Sequence, residues 1–250
     1  MANRRMSRIF ANDGKSLILA FDHGATGANY AGMADPGKTL RECLAAGANA
    51  VLTTVGIARQ FDSLLQRTGL ILSLDGLIGE PEYAVADAVR LGADMGKVIL
   101  FPWSKDTPDS PREVRRLATI CREWGLPLMV EPIPVSFQAT DQHTPENIGK
   151  AAKMAEELGA DLLKIQYTGE VSSLREVMRP LYSPVVVLGG PKRADQRSTL
   201  ADVAGAMESG ALGVAIGRNI WGHESPARMV AALCRIIHDG ASADEALREL

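Results

Sequence analysis

The chain of 250 residues is 46% hydrophobic and 23% charged, a globular composition that excludes a disordered polypeptide. Its 27 basic and 30 acidic side chains leave a formal charge of -3, so no global attraction to nucleic acid or to an anionic membrane is expected. Aromatic residues are only 5%, so the core must be aliphatic.

Short apolar runs recur along the chain, each preceded by a segment of helical character. They begin near Leu17, Asn49, Leu70, Lys97, Pro127, Asp161, Pro184 and Leu212. The spacing of roughly 28 residues is the length of one strand–loop–helix–loop unit. The runs are continuous rather than alternating, as expected for parallel strands buried on both faces. Between them, Pro111–Gly125 reads as a helix with Ser110 as N-cap and Val114, Leu117, Ile120 and Cys121 on one face. Thr144–Gly159 reads as another, with proline in its first turn and glycine at its end. Four units close on similar turns, AAGANAV, RLGADMG, ELGADLL and ESGALGV, where glycine fits a left-handed helix C-cap. No linker or compositional break divides the sequence. The fold class expected is α/β, a single-domain TIM (β/α)8 barrel over residues 1–250. A doubly wound sheet fits less well, because no GxGxxG follows the first strand.

Cys43, Cys121 and Cys234 all fall in helical stretches, form no CxxC and are odd in number. That pattern argues against a disulfide framework and predicts buried thiols in a reducing, cytoplasmic setting. No stretch approaches the roughly 20 apolar residues of a membrane span.

In a barrel of this kind, chemistry belongs at the C-terminal ends of the strands. Strand 1 ends in Asp22-His23-Gly24, strand 3 in Asp75-Gly76, strand 4 in Phe101-Pro102-Trp103 and strand 5 in Glu131-Pro132. Strand 6 carries Lys164, strand 7 ends in Gly189-Gly190 and strand 8 in Gly217-Arg218-Asn219. Of the eight lysines, Lys97 reads as the first residue of strand 4, at the bottom rim, and Lys164 alone falls within an apolar strand. An ammonium there is costly to desolvate, which favours a neutral amine able to attack a carbonyl. The bland alternative pairs Lys164 with Asp22 or Glu131 for packing alone.

Asp22, Asp75 and Glu131 are the acid–base candidates, each of which could instead cap a following helix. The glycine-bearing turns after strands 7 and 8, with Arg218, suit a phosphate. His23 flanks the site, and Trp103 reads as a pocket wall. His143, His223 and His238 read as loop or helix-face residues. The carboxylates lack HxH or HxxxH spacing, so neither a metal nor a cofactor is expected.

Five stretches in this order, LAFDHG (19–24), GLP (125–127), AEELGADLLKIQYTGE (155–170), VVVLGGPK (185–192) and GALGVAIGRNIW (210–221), resemble the archaeal-type class I fructose-bisphosphate aldolase family. That family also takes in autoinducer-2 phosphate-processing enzymes and aminodeoxy-heptulosonate synthases. The resemblance implies a TIM barrel, a Schiff base on Lys164, acid–base assistance from Asp22 and a phosphate held by the turns after strands 7 and 8. It also implies a homo-oligomer, a pentamer or decamer. One departure stands out: the family's tyrosine after strand 5, in a W-x-YPRG-like segment, is replaced here by Ile133, and the basic residue that follows it is missing. An isoleucine cannot move a proton, which leaves Glu131 to act and makes a monophosphate easier to accommodate than a bisphosphate.

The function expected is therefore a class I aldolase, a lyase acting on a phosphorylated ketose through Lys164. Its catalytic set is Lys164, Asp22 and Glu131, and its substrate-binding set is His23, Asp75, Trp103, Gly189, Gly190, Gly217 and Arg218. Two alternatives are a thiolase-like acyl transfer from a phosphorylated diketone to coenzyme A and a non-catalytic phosphosugar-binding barrel.

Overall fold

Apolar side chains fall on both faces of every strand, and such strands must be covered twice, by helices outside and by each other inside. A computed structural model, describing residues 4–27, 30–77, 80–190 and 195–250, shows that solution. Strands β1 (Ser16–Ala20), β2 (Ala50–Thr53), β3 (Gly69–Ser73), β4 (Met95–Leu100), β5 (Leu128–Pro132), β6 (Leu162–Ile165), β7 (Val185–Leu188) and β8 (Gly213–Ile216) pair in sequence order. All pairs are parallel, and β1 closes on β8 with Ser16 opposite Gly213. The expected (β/α)8 barrel is the fold.

The helices of the outer layer are α1 (Pro36–Ala45), α2 (Val55–Gln60), α3 (Asp62–Leu65), α4 (Pro81–Arg90), α5 (Ser110–Glu123) and α6 (Pro145–Leu158). They continue as α7 (Val171–Met178), α8 (Gln196–Glu208), α9 (Arg218–Trp221), α10 (Pro226–Asp239) and α11 (Ala243–Ala246). α6 starts as its sequence suggests: Thr144 Oγ1 accepts the Asn147 N–H, Pro145 opens the helix, and Gly159 ends it at φ 111°. α5 starts differently. Asp109 occupies the N-cap, and Ser110 lies in the first turn, where its hydroxyl accepts the Phe101 N–H at 3.1 Å. That bond ties the helix to the end of β4, a use of serine that local pattern does not distinguish from capping.

Alternation along the strands sorts side chains into two cores. Leu17, Leu19, Val98, Leu100, Val130, Leu163 and Ile165 face the helices, packing with Leu117, Ile148, Leu174 and Leu233. Ile18, Ala20, Leu52, Ile71, Met95, Met129, Leu162 and Val186 fill the barrel interior. The N-terminal segment stoppers the lower end: fully buried Ile9 joins the interior core, with Met6 and Phe10 against it. Arg8 pairs with Asp94 at 3.2 Å across that end, and Arg5 donates to the Ala93 carbonyl.

The cysteines lie in α1, α5 and α10. Cys43 and Cys121 are buried and Cys234 is half-buried; burial pushes the first two thiols up to about 12 and the third to about 11. Among the described residues, no helix is long and apolar enough to cross a membrane.

Candidate active site

The interior parity that places Met95, Met129 and Leu162 low in the barrel places the residues two further along, Lys97, Glu131 and Lys164, above them. Here the structure corrects the sequence reading of Lys97. β4 starts at Met95, two residues before the apolar run, so Lys97 is the third residue of the strand, opposite Ser73 of β3. The strand's start is disguised because Met95-Gly96 reads as part of the preceding turn. Gly96 leaves room in the strand for the Leu74 side chain, whose Cδ1 would lie 2.6 Å from a Cβ there and would have to shift. Lys164 is thus not alone inside the barrel; the signal for Lys97 was that Val98 and Leu100, its odd-spaced neighbours, must face the helices.

Two carboxylates from strand ends complete the group. The Lys97 ammonium, 3% exposed in its side chain, stands 2.8 Å from Asp75 Oδ2, 3.2 Å from Glu131 Oε2 and 3.4 Å from Asp22 Oδ2. The Lys164 ammonium donates to the same Glu131 Oε2 at 3.0 Å. One carboxylate oxygen therefore lies between two lysines. The helix-capping alternative fails for Asp22 and Glu131: the Asp22 side chain makes no cap hydrogen bond to the turn that follows it, and Glu131 lies within β5. Asp75 opens a short turn, but its carboxylate accepts the Ile99 N–H at 2.7 Å and the Ser73 hydroxyl at 2.8 Å, which fixes it against β4 and Lys97.

Burial pushes the Asp22 carboxyl up, yet the Lys97 and Lys164 cations outweigh it and hold the group below its ordinary range. The same balance, with Lys164 ahead of Lys97, holds Glu131 low. Burial alone would lower Lys97, but Asp75, Glu131 and Asp22 together raise it well above its usual value. Both carboxyls are thus depressed on folding from ordinary values of 3.8 and 4.5. Their stabilisation is present above the higher of these and is lost as pH falls through the folded values. A thermal-melting series from pH 7 to pH 3 is expected to be level down to about pH 5 and to drop below it. A midpoint that stays level to pH 3 would contradict this linkage.

His23 stands beside Asp22, with Nδ1 3.5 Å from Oδ1, and burial, ahead of every other influence, pulls its value down, favouring a neutral ring. Trp221 braces this corner. Its indole N–H donates to the Ala20 carbonyl at 3.1 Å, and its ring meets His23 edge-on with centroids 5.3 Å apart. Gly217 is what admits that packing, because a Cβ there would lie 2.3 Å from the Ala20 oxygen and 2.9 Å from His23 Cε1.

The two glycine turns are linked: Asn219 Nδ2 donates to the Gly189 carbonyl at 2.9 Å, and Gly190 takes a left-handed φ of 62°. Arg218 starts α9, its Nε buried without a hydrogen-bond partner among the described residues. Pro191 and Lys192, the rest of the VVVLGGPK stretch, lie outside the described residues. Trp103 follows β4 at a left-handed φ of 63° and is 46% exposed, on the rim rather than in the charged group. Ile133 is fully buried and offers no proton-moving side chain after β5.

The barrel thus buries two lysines against carboxylates at the C-terminal ends of its strands, the side on which this fold places its chemistry. A profile of the DeoC/LacD family aldolases matches residues 16–223, and the chain belongs to that family. It is 34% identical to a 2-amino-3,7-dideoxy-D-threo-hept-6-ulosonate synthase of Halobacterium salinarum, covering 97% of this chain and 94% of the relative. It is equally 34% identical to a class 1 fructose-bisphosphate aldolase of Thermoproteus tenax, covering 99% of each. Among solved structures, an archaeal fructose 1,6-bisphosphate aldolase superposes with a TM-score of 0.82 at 31% identity, over 95% of this chain and 99% of that one. A second solved structure, of an archaeal fructose-1,6-bisphosphate aldolase with its catalytic lysine covalently bound to the carbinolamine intermediate of the substrate, gives 0.81 at 31% identity over 94% and 98%. Aldolases are lyases, and these likenesses favour carbon–carbon bond chemistry over acyl transfer or a silent binding barrel.

Proposed function

We propose that the protein is a class I aldolase that cleaves or forms a carbon–carbon bond in a phosphorylated ketose through a Schiff base on Lys164. The observation that carries this reading is the Lys164 ammonium inside the barrel, 3.0 Å from Glu131 Oε2. Glu131 takes a proton from Lys164, and the free amine attacks the ketone to give a carbinolamine. Loss of water leaves an iminium, the electron sink. Asp22, held ionised by its lysine neighbours, removes the proton of the substrate hydroxyl; the carbon–carbon bond breaks, an aldehyde leaves and an enamine remains. Protonation at carbon and hydrolysis return the amine. Lys97 touches all three carboxylates; it helps keep Asp22 and Glu131 ionised and in place, with Asp75 anchoring it from the far side.

Gly189, Gly190, Gly217 and Arg218 hold the phosphate, which fixes the ketone within reach of the amine. His23 and Trp103 line the approach. Ile133 in the tyrosine's place supports a monophosphate. The free thiols support a cytoplasmic setting, and exposed Trp103 and Phe137 support assembly of several copies, which sedimentation would measure.

Borohydride added with dihydroxyacetone phosphate is expected to increase the mass of the peptide containing Lys164, and EDTA to leave activity unchanged. An untrappable enzyme inactivated by chelation would overturn the mechanism.

A further inference from the structure

A second polar group stands at the mouth beside the charged one, and the reaction as described leaves it unused. Along β6 the inward and outward sides alternate: Leu162 is in the barrel interior, while Leu163, Ile165 and Tyr167 pack toward the helices. Gln166 therefore shares the inward side with Lys164, its Cα about 7 Å further toward the mouth. Its amide Nε2 lies 2.9 Å from His143 Nδ1, and His143 Nε2 lies 2.9 Å from the Ser136 carbonyl. A carbonyl only accepts, so Nε2 donates its hydrogen to Ser136. Nδ1 faces the Gln166 amide nitrogen, whose N–H it accepts in the tautomer protonated at Nε2. The other end of the amide, Oε1, is buried and has no hydrogen-bond partner among the described residues.

The backbone is strained where this chain of bonds is anchored. Val135 has φ 63°, and the Ser136 N–H donates back to the Pro134 carbonyl at 2.8 Å, the three-residue turn in its disfavoured sense. A β-branched residue is rarely found there, and the turn is what directs the Ser136 carbonyl at His143. The strain, the imidazole and the amide thus converge on one acceptor, aimed by the loop in which Ile133 replaces a proton-carrying side chain.

We infer that Gln166 Oε1 accepts a hydrogen bond from the substrate's hydroxyl on the carbon beside the ketone, with His143 as the positioning residue that fixes the amide. The inference rests on the Schiff-base reading, since Lys164 sets where the ketone lies. A neutral amide oxygen selects an O–H or N–H donor, and a site built around such a bond discriminates strongly against an analogue lacking the donor.

The test is borohydride trapping on Lys164 with dihydroxyacetone phosphate and with its deoxy analogue, hydroxyacetone phosphate. The readout is the ratio of their half-trapping concentrations, compared between wild type and variants so that the ketones' own reactivities cancel. Gln166→Met is expected to shift that ratio by about ten- to a hundredfold toward the deoxy ketone. Gln166→Leu is expected to do the same, should methionine disturb the packing. His143→Leu should shift it in the same direction, whereas a purely structural loss would weaken both ketones alike. A ratio unchanged in the folded variants overturns the inference and leaves the Schiff base standing. No adduct with either ketone in the wild type overturns the Schiff-base reading, and the inference with it.

Discussion

Lys164→Met is expected to lower kcat by at least about 10⁴-fold and to abolish borohydride trapping, with the thermal midpoint within a few degrees of wild type. The kinetic loss follows from the route proposed: without the amine no iminium forms, and the developing carbanion has no electron sink. The near-neutral stability follows from the geometry. Glu131 Oε2 keeps Lys97 at 3.2 Å when Lys164 is removed, so no buried charge is left alone. Methionine also suits an apolar strand of similar reach. Equal turnover in the variant, measured with the phosphorylated ketose on which wild type acts, would sink the assignment of Lys164.

Lys97→Met is expected to behave in the opposite way, as a loss of stability first. The ammonium is shared by Asp22, Asp75 and Glu131, and among the described residues only Glu131 retains a second lysine within a salt-bridge distance. Removing one partner of a buried ionic group costs about 3–5 kcal/mol because the others stay buried without compensation. At this chain length that corresponds to a fall of about 6–20 °C in Tm. Activity should fall as well, since Asp22 loses the cation that lowers it most and Glu131 loses one of its two. Adding Asp75→Asn to Lys97→Met is expected to recover part of the melting temperature but little of the turnover. A variant with wild-type Tm would contradict the arrangement seen around Lys97.

These two lysines also mark where sequence reading succeeds and where it stops. Lys164 could be found because charge inside Leu162-Leu163-Lys164-Ile165 contradicts its surroundings, and the contradiction is local. Lys97 is set by the same physics, but its strand begins in residues that look like a turn, so its position depends on the register with β3 and β5. The eight strands were legible because parallel strands buried on both faces leave unbroken apolar runs. The left-handed glycines, Gly47, Gly92, Gly159 and Gly210, were legible because helix ends impose them. Asp75 was harder, since its backbone bond to Ile99 crosses between strands. Gln166 and His143 are 23 residues apart, and their contact exists only once the post-β5 loop has folded over β6. No periodicity announces such a pair.

The stopper at the lower end, Ile9 with Met6 and Phe10, closes an interior already filled by Ile18, Ile71, Met95, Met129 and Leu162, so the charged group is approached from the C-terminal ends of the strands. On the proposed route the ketone fragment stays bonded to Lys164 until water hydrolyses the imine, so the aldehyde is expected to leave first by that side. In the synthetic direction the order reverses, and the ketone is expected to bind before its aldehyde partner.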